Sequence, residues 1–294
     1  MNINNLFKLA TKNKASDLHI IVGKPPILRV DGELKIIPDI EVVTRELAEK
    51  MIFGILTERQ QKKFIDEREL DVSYEIAEYS RYRVNLHYEK DNVGLVARVI
   101  SNQIPSMEDL QMPEIVTQLI QRTSGLFLVT GPTGCGKSTT LAAMIERINQ
   151  TRSAHIVTLE DPIEFVHQPK KSIIKQRQLG TDILSFEDAL KHVLRQDPNV
   201  IMVGEMRDLE TIAATITLAE TGHLVLATLH THSASQTIDR IIDVFPPHQQ
   251  SQVRLQLSIS LSGVLTQQLV PKVGGGRVAV REILINTPAI SNII

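Results

Sequence analysis

Apolar and polar residues alternate with a period of two along three stretches of the first hundred residues. The alternating apolar positions run through residues 70–76, 82–88 and 93–99. A period of two is typical of strands with one buried face, so these stretches predict an antiparallel meander. The polar positions of the same stretches put Arg81, Arg83 and Arg98 on the other face.

The segments before the meander predict short helices and a hairpin. Residues 3–13 predict a helix, and Thr44 and Thr57 can each cap a further helix. Asp31-Gly32 stands between two apolar runs, a strong signal for a tight turn between strands. Residues 1–100 therefore predict a small α+β domain.

The pattern changes after residue 113, where short apolar runs alternate with helical stretches. The predicted strands are 126–130, 155–160, 200–204, 224–230 and 278–285. This alternation predicts an α/β domain over 113–294, with a mainly parallel sheet between helices. Ligands of such sheets bind at the carboxyl ends of the strands. The polar stretch 101–112, which contains Pro105, is predicted to be a linker and a hinge.

Composition excludes several classes of protein. With 294 residues, 42% of them hydrophobic, the chain is long and apolar enough for two folded domains. A net charge of −2 and the lack of tryptophan argue against a chain held on nucleic acid by bulk charge and stacking. The single cysteine rules out an internal disulfide and an all-cysteine zinc site. No apolar run approaches a membrane span, so membrane association would need a partner.

Residues 131–138 match G-x-x-x-x-G-K-[ST], the phosphate-binding P-loop, between a predicted strand and a predicted helix. Backbone N–H groups of such a loop cradle phosphate oxygens. Lys137 can reach the β- and γ-phosphates, and the Ser138 hydroxyl can ligate Mg²⁺. The predicted nucleotide-binding residues are Gly131, Pro132, Thr133, Gly134, Cys135, Gly136, Lys137, Ser138 and Thr139.

Acidic side chains follow two of the predicted strands. Strand 155–160 leads into Glu160, Asp161 and Glu164, and strand 200–204 leads into Glu205. Glu205 holds the position at which an acid meets Mg²⁺ or the attacking water. Glu164 competes with Glu205 for the role of general base, and Glu160 is a further catalytic candidate. The acids at 160–164 could instead belong to a solvated turn. Glu205 could instead mark an ordinary strand end, followed by Asp208 as the cap of a helix over 209–221.

Two histidines and three arginines complete the candidate set. His223 and His230 bracket a predicted strand and could sense phosphate, although a lone histidine is more often packed or exposed. Arg81, Arg83 and Arg98 could act as arginine fingers, because a guanidinium fits phosphate oxygens. The sequence offers these three no obvious acidic partner, but each could be a surface arginine.

The order of these motifs resembles the secretion ATPase superfamily of type II and type IV secretion and type IV pili. Within it the chain is similar to the pilus retraction ATPases, the PilT family. The resemblance rests on the P-loop, the two acidic strand ends, the two histidines, and the stretches 16–19, 81–85, 194–208 and 237–246. It implies a PAS-like N-terminal domain, a RecA-like ATPase domain and a homo-hexamer that uses ATP and Mg²⁺. It also implies that Arg81, Arg83 and Arg98 reach the nucleotide.

The function implied by the resemblance is an ATP-hydrolysing hexameric motor for type IV pilus retraction and twitching motility. Such a motor would be cytoplasmic and would reach the inner membrane only through a pilus platform protein. It would not bind nucleic acid directly. Two alternatives stay open. One is a RecA-like ring that moves nucleic acid, as in DNA uptake. The other is an accessory ATP-binding regulator of a pilus motor.

Four features bear on the resemblance. Cys135 stands where the family commonly has Ser, and the turn at 91–92 lacks an Arg that many members carry. The chain stops in the helix opened by Thr287, which suggests a truncated or short homologue. One cysteine cannot build the four-cysteine zinc insertion of the extension and export ATPases, and this favours retraction.

Overall fold

The computed structural model describes residues 2–30, 32–76, 79–100, 103–273 and 276–294. The chain divides into two compact units, Met1–Asn102 and Gln103–Ile294. Each unit has its own sheet, and each sheet has its own hydrophobic core. The predicted hairpin residue Asp31 and the linker residues 101–102 lie outside the described residues.

The first unit is built on a six-stranded antiparallel sheet with the order β3-β2-β1-β6-β5-β4. Its strands are β1 (Asp17–Ile20), β2 (Ile27–Val30), β3 (Glu33–Ile36), β4 (Glu69–Ile76), β5 (Ser80–Glu89) and β6 (Asn92–Ile100). Its helices are α1 (Ile3–Lys12), α2 (Arg45–Phe53) and α3 (Glu58–Glu67).

The period of two in the meander is confirmed. Tyr82, Val84 and Leu86 of β5 are fully buried, while Arg83 between them is exposed. The predicted helices are also present. Thr44 caps α2, and Thr57 forms a capping box with Gln60 at the start of α3.

The second unit is built on a seven-stranded sheet with the order β13-β12-β7-β11-β10-β8-β9. All neighbours pair in parallel except β12 and β13. The strands are β7 (Gly125–Thr130), β8 (His155–Glu160), β9 (Ile173–Gln178), β10 (Val200–Val203), β11 (Leu224–Leu229), β12 (Leu261–Pro271) and β13 (Arg277–Ile285). The helices are α4 (Glu114–Ile120), α5 (Lys137–Thr151), α6 (Phe186–Val193), α7 (Leu209–Glu220), α8 (Ala234–Asp243), α9 (Pro247–Ser260) and α10 (Pro288–Ile293).

Helices cover both faces of this sheet. On one face Ile212 and Ile216 of α7 pack in a core with Leu126 of β7. On the other face Met144 and Ile145 of α5 belong to a second core. All residues of β7, β8, β10 and β11 are buried, because each strand is covered from both sides. This explains why β7, β10 and β11 are nearly continuous apolar runs rather than alternating ones.

The structure differs from the sequence prediction at three places in this unit. Strands β9 and β12 were not predicted. Part of the predicted linker also packs into the second unit, since Met107 is buried in its core. Arg281 of β13 holds the same stretch by donating to the Leu110 carbonyl at 2.8 Å. Residues 103–112 are therefore a packed segment and not an open connection.

Candidate nucleotide-binding site

The P-loop lies between β7 and α5, as the strand and helix patterns predicted. Gly131 has φ 141°, and a Cβ there would stand 2.3 Å from the Gln267 carbonyl oxygen. Gly136 caps α5 at φ 91°, a left-handed conformation that favours glycine. No side chain caps α5 through a hydrogen bond at this position. The first turn of the helix therefore presents its free N–H groups and positive dipole end to the loop, as an anion site requires.

Lys137 is folded back onto the loop that it follows. Its Nζ donates to the carbonyl oxygens of Gly131 at 2.8 Å and Pro132 at 3.1 Å. Burial lowers the pKa of the Lys137 ammonium, while the neighbouring Cys135 and Glu205 side chains act in the opposite direction. The predicted phosphate-binding cation thus lies within the P-loop and is satisfied by its carbonyls.

Glu205 and His230 meet this lysine at the carboxyl edge of the sheet. His230 Nδ1 lies 3.5 Å from Lys137 Nζ, and His230 Nε2 lies 3.4 Å from Glu205 Oε2. The lysine can only donate, so Nδ1 accepts and Nε2 carries the proton that faces the carboxylate. Arg207 binds the other oxygen of Glu205 at 2.5 Å. The four side chains form one chain of polar contacts beside the P-loop, and only Arg207 was not predicted as part of the site.

The end of β10 is held close to β8, which positions Glu205. A Cβ on Gly204 would approach the Leu159 carbonyl oxygen at 3.1 Å, tighter than most real contacts. The Thr228 hydroxyl donates to the Gly204 carbonyl at 2.5 Å and joins the same turn to β11. Glycine at 204 therefore permits this close approach between the two strand ends.

The acids at the end of β8 do not form one cluster. Glu160 is 7% exposed, and its Oε1 accepts from Thr158 Oγ1 at 2.6 Å and from Gln176 Nε2 at 3.1 Å. Burial raises the pKa of the Glu160 carboxyl. Asp161 and Glu164, by contrast, are exposed. The Glu160 side chain is therefore buried and hydrogen-bonded within this turn, and its catalytic role stays a prediction.

His223 lies at the opposite edge of the sheet from His230. β11 runs parallel to β7 with Leu224 opposite Gly125 and Leu229 opposite Thr130. His223 therefore precedes the amino end of β11, about 20 Å from the P-loop edge by strand rise. Its Nδ1 donates to the Leu218 carbonyl at 3.0 Å. The structure does not bring His223 to Lys137 and Glu205, and its catalytic role stays a prediction.

The arginines of the first unit lie on one face of its sheet. Arg83 of β5 stands directly opposite Arg98 of β6. Arg98 donates from Nε to Asp17 Oδ1 at 3.0 Å, and Arg29 lies 3.8 Å from the same carboxylate. The expectation that these arginines lack an acidic partner is therefore wrong for Arg98. Arg81 stands opposite Glu75 in the register of β4 and β5.

A cavity of about 370 Å³ opens beside Glu205 and Arg207. Its walls come from the turn after β8, the segment before α6 and the start of α7, with Asp161, Leu184, Phe186, Glu187 and Asp208 among its lining residues. Asp208 also caps α7, as predicted, by accepting from the Thr211 N–H at 2.7 Å. The acid and the arginine of the site thus also line an open cavity.

The sequence matches the family of type II/IV secretion system proteins over residues 1–282. The chain belongs to this family. The type IV pilus retraction ATPase PilT of Pseudomonas aeruginosa is 48% identical over 294 residues, which are 100% of this chain and 85% of that protein. A Neisseria gonorrhoeae twitching motility protein is 48% identical over 270 residues, 92% of this chain and 72% of that protein.

A crystal structure of the pilus retraction motor PilT with bound ADP has the same fold, with a TM-score of 0.96. It is 47% identical, and the alignment covers 100% of this chain and 85% of that chain. Membership of the type II/IV secretion family, with similarity of this extent to ATPases, makes the chain an ATPase. Its fold is the predicted mixed α/β fold, with a mainly parallel sheet in the second unit.

Proposed function

We propose that the chain is an ATP-hydrolysing motor that retracts a type IV pilus and works as a homo-hexamer. The observation that carries the proposal is 48% identity across the whole chain to a protein named as a retraction ATPase. The site supports it, because a P-loop lysine, an acid and a histidine meet at the carboxyl edge of a parallel sheet. Phosphoryl transfer needs little beyond such positioning and charge.

The P-loop N–H groups and Lys137 would bind the phosphates of ATP. Ser138 and Glu205 would hold Mg²⁺, which neutralises charge on the phosphates when bound. No group of three or more His, Cys, Asp or Glu side chains in the described part of the chain could hold a metal by itself. This fits a nucleotide-bound Mg²⁺, which takes most of its ligands from phosphate and water.

We assign activation of the attacking water to Glu205, with Glu164 as the competing candidate. Glu205 is the acid that contacts His230, and His230 in turn contacts Lys137. Ion pairing with Arg207 must loosen before Glu205 can accept a proton, because both of its oxygens already face cations or donors. Glu164 is exposed and close enough to Glu160 to influence its pKa.

Arg81 and Arg83 are proposed to supply positive charge to the departing phosphate, from the same subunit or a neighbour in the ring. Arg83 is exposed, whereas Arg98 is already paired with Asp17. An arginine finger contributes about 10³-fold or more to turnover. Arg83→Ala should therefore reduce kcat by about that factor with a smaller change in nucleotide affinity. Arg45→Ala, which removes an exposed arginine from α2, is the control. Parental turnover in Arg81→Ala and Arg83→Ala would make this face purely structural.

Partners and location follow from the proposed motor. In the described residues, no helix is long and apolar enough to cross a membrane. We propose that the chain works in the cytoplasm and engages an inner-membrane platform protein of the pilus.

The test is the ATPase rate of the purified protein, measured with its oligomeric mass and with pilus retraction in a strain that lacks the native motor. Lys137→Ala should abolish hydrolysis and retraction together, because the γ-phosphate loses its cation. Lys191→Ala removes an exposed lysine on α6 and should leave both unchanged. A Lys137→Ala protein that hydrolyses ATP at the parental rate would overturn the proposal. Stimulation by DNA without restored retraction would favour a nucleic-acid translocase.

A further inference from the structure

Strand β12, which the sequence did not predict, runs beside the P-loop. It pairs in parallel with β7, and Thr266 is the partner of Thr130, the last residue before the loop. The hydroxyl groups of these two threonines lie 2.7 Å apart and are buried. The next residue of β12, Gln267, is thereby placed level with Gly131, the first residue of the P-loop.

The side chain of Gln267 connects the end of the loop to the first turns of α5. Gln267 is 2% exposed. Its Nε2 donates to the Cys135 carbonyl at 2.7 Å, and its Oε1 accepts from Thr140 Oγ1 at 2.9 Å. Both ends of the amide are therefore bonded to the P-loop and its helix. Its backbone carbonyl is the group that a side chain at Gly131 would meet.

The contact with Cys135 fixes the direction of one peptide group. In a trans peptide the C=O and the following N–H point to opposite sides. Since the Cys135 carbonyl is bound toward β12, the Gly136 N–H points away from β12. That N–H belongs to the group of loop donors that form the phosphate cradle in a P-loop. A peptide free to rotate would turn a carbonyl oxygen toward an anionic phosphate instead.

We infer that Gln267 is a positioning residue of the nucleotide site, which holds the Cys135–Gly136 peptide in its phosphate-binding orientation. Gln267 is buried behind the loop and acts through the loop backbone rather than on the phosphate. This inference rests on the proposed nucleotide-binding function of the P-loop. A purely structural glutamine would stabilise the fold without any specific effect on nucleotide affinity.

The main test compares Gln267→Met with Gln268→Met. Methionine keeps the length of the side chain but removes both hydrogen bonds, and Gln268 is the exposed neighbour on the same strand. Gln267→Met should weaken ADP binding by about tenfold or more, since it leaves a buried carbonyl and hydroxyl unpaired. KM for ATP should rise by a similar factor, with a smaller change in kcat. Gln268→Met should bind and hydrolyse as the parent does.

The pH dependence of ADP binding in Gln267→Glu distinguishes a positioning role of Gln267 from a packing role. The ionised glutamate cannot donate to the Cys135 carbonyl, but the protonated acid can. ADP affinity of Gln267→Glu, relative to the parent at the same pH, should therefore recover as the pH falls from 8 to 6. Gln267→Met has no proton to gain, so its relative affinity should stay flat over this range.

Thr140 gives a second pair of variants if Gln267→Met does not fold, as judged by thermal unfolding without nucleotide. Thr140→Val removes the hydroxyl that donates to Gln267 and should weaken ADP binding, whereas Thr140→Ser keeps it and should restore binding. Parental ADP affinity in both Gln267→Met and Thr140→Val would overturn the inference, and so would equal losses in Thr140→Val and Thr140→Ser. Lys137→Ala serves as the reference. If Lys137→Ala binds and hydrolyses ATP as the parent does, the proposed nucleotide site itself is wrong.

Discussion

The two ends of strand β11 carry the same residue type in two different environments. His230, at the carboxyl end, lies between Lys137 and Glu205 and touches side chains only through contacts of 3.4–3.5 Å. His223, before the amino end, donates to the Leu218 carbonyl at 3.0 Å. One histidine faces ionisable groups that can exchange partners, and the other is fixed to the backbone. Strand direction, rather than residue type, decides which of the two histidines lies beside Lys137 and Glu205.

His155, also at the amino edge of the sheet, is likewise bonded to the backbone. His155 at the start of β8 donates from Nδ1 to the Asp197 carbonyl at 3.1 Å. The His155 N–H donates to Asn199 Oδ1 at 2.8 Å, which ties β8 to the start of β10. The side chains of His155 and His223 at this edge donate to backbone carbonyls of neighbouring segments. Polar side chains at the carboxyl edge face one another and a cavity, and they are therefore available to a ligand.

The largest expected effect comes from removing the acid of the carboxyl edge. Glu205→Gln should lower kcat by about 10²–10⁴-fold, the range for a general base, while ADP still binds. The change keeps the shape of the side chain, so a loss of activity reports on the charge. Single-turnover hydrolysis together with nucleotide binding measures both effects.

Glu164→Gln is the matched variant for this prediction. If Glu164→Gln is inactive and Glu205→Gln retains parental turnover, the two acids exchange roles. The general base would then be Glu164 in the turn after β8 rather than Glu205 after β10.

A smaller effect separates the two histidines directly. His230→Asn should lower kcat/KM by about tenfold or more, because the link between Lys137 and Glu205 is lost and both are charged groups. His223→Asn should change kcat/KM by no more than about twofold, since its contact lies at the other edge. Equal losses in the two variants would mean that the distance between the edges does not isolate His223 from the site.

The smallest expected effect is on stability rather than turnover, and it concerns Glu160. Its pKa is raised by burial, so the folded state keeps a proton that the unfolded chain loses above about pH 4.3. Stability of the parent should therefore fall as the pH rises from that value through the folded pKa. Glu160→Gln removes this titration, so its unfolding free energy relative to the parent should increase with pH.

Urea unfolding of the parent and of Glu160→Gln at pH 5 and pH 8 measures this difference. Asp161→Asn, at the exposed neighbouring position, should show no such trend. Loss of hydrolysis in Glu160→Gln without any change in stability or nucleotide binding would support the predicted catalytic role of Glu160.

Much of the fold could be predicted because the two sheets have simple periods. The meander alternates strictly, and β7, β10 and β11 are short apolar runs between helices. Strand β9 was not predicted because four of its six residues are polar. It lies at the edge of the sheet and is partly exposed there. Strand β12 follows α9 without a loop, and its apolar residues 261, 264, 265 and 269 have the spacing of a helix.

The site was predicted where it depends on strand ends and missed where it depends on strand order. Lys137, Glu205 and His230 each follow a recognisable strand, so their meeting at one edge follows from parallel pairing. Gln267 reaches the P-loop only because β12 lies next to β7, a pairing across more than a hundred residues. The contact between Arg98 and Asp17 likewise depends on β1 lying beside β6. The local sequence pattern does not indicate that β12 pairs with β7 or that β1 pairs with β6.

Because Lys137 folds back onto its own loop, the loop carbonyls would compete with the phosphates of a nucleotide for the Lys137 ammonium. The Gly131 and Pro132 carbonyls hold the ammonium that an incoming phosphate must capture, and they stay within reach after hydrolysis. Binding is then an exchange of one set of oxygens for another, with the internal set present at a high effective concentration. As the charge on the phosphates drops from ATP to ADP, the balance shifts toward the carbonyls. In the proposed motor, the loop that binds ATP would thereby also help to release ADP.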